Sequence, residues 1–237
     1  MLIYFGFERG YKMESIYFSE RIPKSYKRAI VNEKEGYIEY LTGTRECYKE
    51  YESPVFDERI NHKLGTYNDS ITLPRLHIFL NGEYKGLVKR YIKGKDLNNM
   101  SEVIPVRTFV EALKKFENDL VEYSNQTGLY LSYIDPSDIV WYSDHIYDVN
   151  TDRITDEYHP SMNPVLENMK ELSNTIGRIY YNDEFYSRGL ENLRMESLVD
   201  GTIRPSWVMD SVLEKYDTFA DIYTLKDYKD GLKLIRK

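Results

Sequence analysis

The feature that most constrains the fold is a change of hydrophobic period part-way along the chain. Up to residue 92 the apolar residues come in short runs rich in β-branched and aromatic side chains: IYFGFE, SIYFSE, YKRAIVNE, GYIEYL, LPRLHIFL and YKGLVKRYI. Bounded by turn formers, such runs read as strands. In the back half the apolar residues instead recur at helical spacing, which buries one face. Strands gathered at the front and helices at the back predict segregated layers, an α+β chain.

The clearest local signal is Asn81-Gly82, set between LHIFL and YKGLVKRYI. It predicts a hairpin and an antiparallel pair over residues 71 to 92. A helix is expected over 53 to 64, with Ser53 capping, Pro54 at the first helical position, Val55, Ile60 and Leu64 as apolar contacts, and Gly65 as the stop. In the back half, VRTFVEALKKFENDLVEYSNQTG places Val106, Phe109, Leu113, Phe116, Leu120 and Tyr123 on one face and ends at Gly128. NPVLENMKELSNTIGRIYY repeats the pattern through Val165, Leu166, Met169, Leu172, Ile176 and Ile179, and further helices are expected near 184–199 and 206–216. A two-strand element is expected around 138–150. The predicted organisation is a β-rich lobe over 1–92, a hinge-like connector over 93–100, and a mostly helical lobe over 101–237.

Composition narrows the function classes. The chain has 237 residues, 41% of them hydrophobic and 30% charged, so it can bury a sizeable core. A net charge of -7 with no basic stripe argues against a nucleic-acid partner. The single Cys47 cannot form an internal disulfide, and with His62, His77, His145 and His159 dispersed, no zinc-site spacing is present. No window is apolar enough for a membrane span, so no membrane partner and a cytoplasmic location are expected. The 23 tyrosines suit half-buried strands and protein interfaces, which makes a protein partner the expectation.

Four stretches in order resemble the protein-kinase-like fold. LVKRYIKGKDL is similar to the last strand of a kinase front lobe entering the hinge, with Gly94 and Leu97 in the Gly-x-x-Leu places. SPVFDERINHKL is similar to the helix carrying the family's glutamate, here Glu58. YIDPSDIVW resembles the catalytic loop D-x-x-P-x-N-I, and HIYDVNTD resembles the strand leading into D-F-G. The resemblance implies a two-lobed, protein-kinase-like α+β fold, with an antiparallel β-rich front lobe and a small helical back lobe. It implies ATP and Mg²⁺ as the ligands of an intact member.

The chemistry of that family is poorly supported by the residues. Between Gly10 and Gly36 there is no glycine to let backbone amides approach a phosphate. If GYIEYL is the third strand, Glu39 takes the place of the phosphate-binding lysine and faces Glu58, with Lys34 as a substitute cation. Tyr133 falls at the catalytic aspartate, and a phenol is a poor base near neutral pH. Asp138 falls at the metal-binding asparagine. Asn150 falls at the D-F-G aspartate, while a register shifted by two would select Asp148.

Asp138, Asp148 and Asp152 form a candidate metal set; they read equally as a solvated acidic edge. Glu58 reads equally as a surface partner of Lys63 or Lys89, and Trp141 and Trp207 as core residues. The resemblance therefore implies a degenerate kinase-like protein, a pseudokinase of bacterial or phage type, acting as a regulator or scaffold through protein contacts. Two alternatives stand beside it: an atypical ATP-dependent phosphoryl- or nucleotidyl-transferase, and an α+β interaction module unrelated to kinases.

Overall fold

The computed structural model describes residues 14–58, 60, 68–99, 104–156, 163–177, 204–214 and 225–226. The chain divides into two compact units, Met1–Ile92 and Lys93–Lys237. The first is built on strands β1 (Glu14–Phe18), β2 (Ala29–Lys34), β3 (Tyr37–Leu41), β4 (Glu46–Tyr51), β5 (Pro74–Leu80) and β6 (Glu83–Arg90). They form one sheet in the order β1-β5-β6-β4-β3-β2. All neighbours are antiparallel except β1, which runs parallel to β5 along the edge.

The predicted hairpin is β5–β6. Asn81 and Gly82 adopt φ of 52° and 84°, the left-handed pair that matches strand twist in a two-residue turn. Between β2 and β3 the chain turns through Glu35 and Gly36 alone, with Lys34 and Tyr37 paired across the turn. Alternation then sorts the side chains. One face carries Tyr48, Ile78 and Val88 at its buried centre, with Ile16, Phe18, Ile22, Tyr26, Tyr40 and Leu76 packed around them. The opposite face carries Tyr37, Glu39, Cys47, Lys49, Leu87, Lys89 and His77, a more polar set and just as deeply buried.

Two sequence expectations change here. The strand ECYKEY, β4, is central to the sheet although its three charged residues hide it from a hydrophobic pattern. Because β2, β3 and β4 form the meander that joins β6, GYIEYL is the middle strand of that meander and β4 is its third. Of the helix expected over 53–64, residues 53–57 are not helical and Glu58 and Ile60 are; the remainder lies outside the described residues, as do IYFGFE and the helix expected near 184–199.

In the second unit, β7 (Lys95–Asp96), β9 (Ile139–Tyr142) and β10 (His145–Asp148) form a three-stranded sheet ordered β10-β9-β7, while β8 (Tyr130–Leu131) pairs with β11 (Ile154–Thr155). The expected connector 93–100 thus contributes a strand to this unit. Helix α1 (Val106–Thr127) buries all six predicted apolar residues and stops at Gly128, whose φ of 70° is the left-handed cap that glycine adopts without strain. Helix α2 (Pro164–Ile176) begins with Asn163 accepting a hydrogen bond from the Val165 N–H. It buries Met169, Leu172 and Ile176 but leaves Leu166 43% exposed.

Helix α3 (Pro205–Glu214) packs against α1 and α2. Trp207, expected in the core, stands 55% exposed on α3 with the Arg204 guanidinium carbon 5.6 Å from its ring centroid, while Met209 of the same helix is buried. Among the described residues, no helix is long and apolar enough to cross a membrane.

Candidate functional site

In the second unit the catalytic-loop stretch runs from β8 into β9 and is held by side chains the sequence pattern did not single out. Asn168 of α2 accepts the Leu131 N–H at 2.7 Å and donates to Ser124 Oγ of α1 at 2.6 Å. Thr175 of α2 donates to the Ile134 carbonyl at 2.5 Å. Asp135 accepts the Ser137 N–H through its side chain and the Asp138 N–H through its carbonyl, which makes the Pro136-Ser137 segment a tight turn. Leu97, fully buried, donates its N–H to the Pro136 and Ile139 carbonyls at 3.2 and 2.8 Å. Its sequence role as a hinge residue becomes a clamp on this loop.

Gly94, the other hinge-like residue, lies so close to β9 that a Cβ there would sit 2.1 Å from the Trp141 carbonyl oxygen and 2.4 Å from Val140 Cγ1. Only glycine fits without moving backbone.

The loop brings three of the predicted residues together and spaces out the rest. Asp138 is 6% exposed, Asp148 2% and Asn150 6%. The hairpin register sets Asp148 opposite Ile139, and the Val149 N–H donates to the Asp138 carbonyl, which delivers Asn150 to the Asp138 side chain. Asn150 Nδ2 donates to Asp138 Oδ2 at 2.8 Å. Its Oδ1 accepts the Asp152 N–H at 3.2 Å, capping the short 3-10 turn Thr151–Arg153, and its own N–H donates to Asp148 Oδ1 at 2.8 Å. Both ends of the Asn150 amide are therefore engaged. Asp152 is exposed, and Tyr133 is half-buried with the Arg153 guanidinium carbon 5.4 Å from its ring centroid.

A Mg²⁺ site needs oxygens that converge, one or two carboxylates with water and substrate phosphates completing the shell. An amide N–H₂ points at the Asp138 carboxylate, and Asp152 lies out at the exposed turn. Among the described residues no group of three or more His, Cys, Asp or Glu is placed to hold a metal ion.

In the first unit the polar face of the sheet holds an ionic cluster. Glu39 and Lys49 are directly opposed across β3–β4, and Lys89 is opposed to Cys47 across β4–β6, so all three project from one face. Lys89 Nζ lies 2.6 Å from Glu39 Oε1, and Asn32 donates to Glu39 Oε2 at 3.1 Å. Burial pushes the Glu39 carboxyl up, but the Lys89 ammonium, with Lys49 and Asn32, outweighs it and holds the carboxyl below its ordinary value. Lys49 is 0% exposed, its ammonium 3.5 Å from the Tyr37 ring centroid and 5.3 Å from that of Tyr51. That is a desolvated cation on aromatic faces.

Instead of repelling Glu58, Glu39 therefore meets opposite charge, and Glu58 is exposed. Lys89, once a candidate partner of Glu58, carries Glu39. Lys34 closes the edge strand β2 opposite Tyr37. The third strand of the meander carries Lys49, which the sequence pattern did not single out because ECYKEY does not read as a strand. Its signal was the meander count: a third strand must follow GYIEYL before the chain can reach β5.

No protein-family model matches the sequence, and no curated protein is similar to it. A solved structure of a pseudokinase in its apo form is similar to this chain with a TM-score of 0.55 and 11% identity, covering 99% of this chain and 98% of that one. At that identity the likeness is one of fold, and it spans the whole chain. The protein has a two-lobed α+β, kinase-like fold.

Proposed function

We propose that this protein is a pseudokinase, a kinase-like chain without phosphotransfer that acts as a regulatory or scaffolding partner through protein contacts. The observation that carries the reading is the hydrogen bond from Asn150 to Asp138. In the resemblance these positions are the two metal ligands, and here they satisfy one another in a buried pair. Tyr133 adds a second obstacle, because a phenol at the base position has little tendency to take a proton from a substrate hydroxyl at neutral pH. The two-residue β2–β3 turn and the Tyr37 ring against Lys49 add a third. Backbone amides have no loop from which to wrap a phosphate, and the ammonium is covered.

A protein-contact role is supported by large apolar side chains left in solvent, Tyr17 at 55%, Ile30 at 57% and Trp207 at 55% exposure. A second reading, an atypical ATP-dependent phosphoryl- or nucleotidyl-transferase, is favoured by one observation only, that a lysine does occupy the third strand of the meander. It requires Lys49 to leave the Tyr37 ring and Asp138 to leave Asn150.

The two readings separate in an assay for ADP and for pyrophosphate release from ATP with Mg²⁺ or Mn²⁺. The pseudokinase reading expects the wild-type chain and Asp138→Ala to be indistinguishable from buffer. Release by the wild type that disappears in both Asp138→Ala and Lys49→Met would establish the transferase instead.

A further inference from the structure

We propose that Glu117 is a proton-controlled clasp that fastens the first turn of α3 to α1. Glu117 lies mid-way along α1, is 0% exposed, and spends both carboxyl oxygens on one residue. Oε1 accepts the Ser206 N–H at 2.9 Å and Oε2 meets Ser206 Oγ at 2.6 Å. Ser206 is the second residue of α3 and is itself buried, so the carboxyl satisfies one of the N–H groups that a helix start leaves free.

The surroundings set the balance between the two protonation states. Arg204, just ahead of α3, donates to Asn118 Oδ1 at 2.5 Å and covers the Trp207 ring. Lys114, one turn earlier on α1, is paired with Asp210 of α3. On α2, Glu167 and Lys170 pair with each other at the surface, and on β10 His145 meets Lys115 while Asp148 accepts the Asn150 N–H. The two cations that favour an ionised Glu117 are thus drawn toward other partners. Burial is the dominant influence and raises the carboxyl to about 7, with the Ser206 hydrogen bonds, Arg204 and Lys114 pulling the other way.

With the proton on Oε2, that oxygen donates to Ser206 Oγ while Oε1 keeps the Ser206 N–H, and the clasp is neutral and dry. When the proton leaves to solvent, both oxygens accept from Ser206 but a full charge is left without water. The first turn of α3 then opens more readily, because an exposed Glu117 ionises freely. Opening releases a proton wherever the closed state holds one and the open state does not, so it becomes easier as pH rises and levels off once the closed state has also lost its proton.

Amide hydrogen exchange of the full chain between pH 5 and 8.5 reads this directly. After correction for intrinsic exchange, protection at Ser206, Trp207 and Met209 should fall by about tenfold per pH unit up to pH near 7 and be level above it. Glu117→Gln keeps the oxygen that accepts the Ser206 N–H and loses the proton, so its protection should not vary with pH. Ser206→Ala removes the Oγ that holds the carboxyl down, and its levelling-off should move to higher pH. Protection that is flat in the wild type, equally sloped in Glu117→Gln, or unmoved in Ser206→Ala would overturn the clasp.

Discussion

His77 projects from β5 into a ring of aromatics, with Phe56 at 5.0 Å and Tyr84 at 5.5 Å between centroids, and neither ring nitrogen has a hydrogen-bond partner among the described residues. Burial lowers its pKa to about 4. The unfolded chain takes up a proton near pH 6.5 that the folded His77 refuses until about pH 4, so this group's contribution to stability is present above 6.5 and lost as pH falls toward 4. Glu117 acts with the opposite sign, its raised value adding stability as pH falls from 7 to about 4.5. The two partly cancel in the wild type, and a difference between chains isolates each. Replacing His77 by Phe keeps the ring and deletes both unpartnered nitrogens. Urea unfolding at pH 7 should show a gain of about 1 kcal/mol, growing to roughly 3 to 4 kcal/mol near pH 4.5. An unchanging difference across that range would show that His77 does not titrate as argued.

Residue types alone located some of this chemistry and missed the rest. Tyr133 and Asp138 take their candidate places from their spacing around Pro136-Ser137, and Asn150, with Asp148 as the other register, from the apolar pattern of HIYDVNTD. The bond between Asp138 and Asn150 could not be read this way, because it follows from the β9–β10 register and the Val149 N–H that locks it. Lys49 was lost for a different reason. Charged residues at alternate positions of a strand normally mark a solvent face, yet Glu39, Lys49 and Lys89 neutralise one another's field inside the sheet and so tolerate burial.

Elements were most legible where period and punctuation agreed. The hairpin at Asn81-Gly82 and helix α1 with its Gly128 stop follow from local physics that the rest of the fold does not oppose. β4 was illegible because a central strand is read by its apolar residues, and β7, β8 and β11 are too short to carry a period. Gly94 shows how an element-level contact can look like a motif. Its meaning lies in the approach of the Lys93–Asp96 backbone to β9, so Gly94→Ala must push the Trp141 carbonyl away and loosen the β7–β9 pairing that positions Leu97. We expect a loss of about 2 to 3 kcal/mol in denaturant unfolding, against a near-neutral effect for Gly43→Ala, where an added Cβ meets nothing within 4 Å. Equal effects at the two positions would contradict the close approach.

On the scale of the whole molecule, the proposed pseudokinase combines a kinase-like fold with candidate nucleotide-handling groups that the chain itself occupies. Tyr37 covers Lys49 in the first unit, and Asn150 ties Asp138 in the second. Both contacts are interior to their own unit. A fold can be kept for its surfaces when its chemistry is closed. The most direct test of that claim is thermal unfolding of the purified chain with and without millimolar ATP, in Mg²⁺, in Mn²⁺ and in EDTA. A ligand at a hundredfold excess over its dissociation constant adds about 2.7 kcal/mol, which would raise the midpoint by about 5 to 10 °C in a chain of this size. The account predicts no shift under any of these conditions. A metal-dependent rise that is lost in Asp138→Ala would contradict it and show that the Asn150–Asp138 pair opens to admit nucleotide.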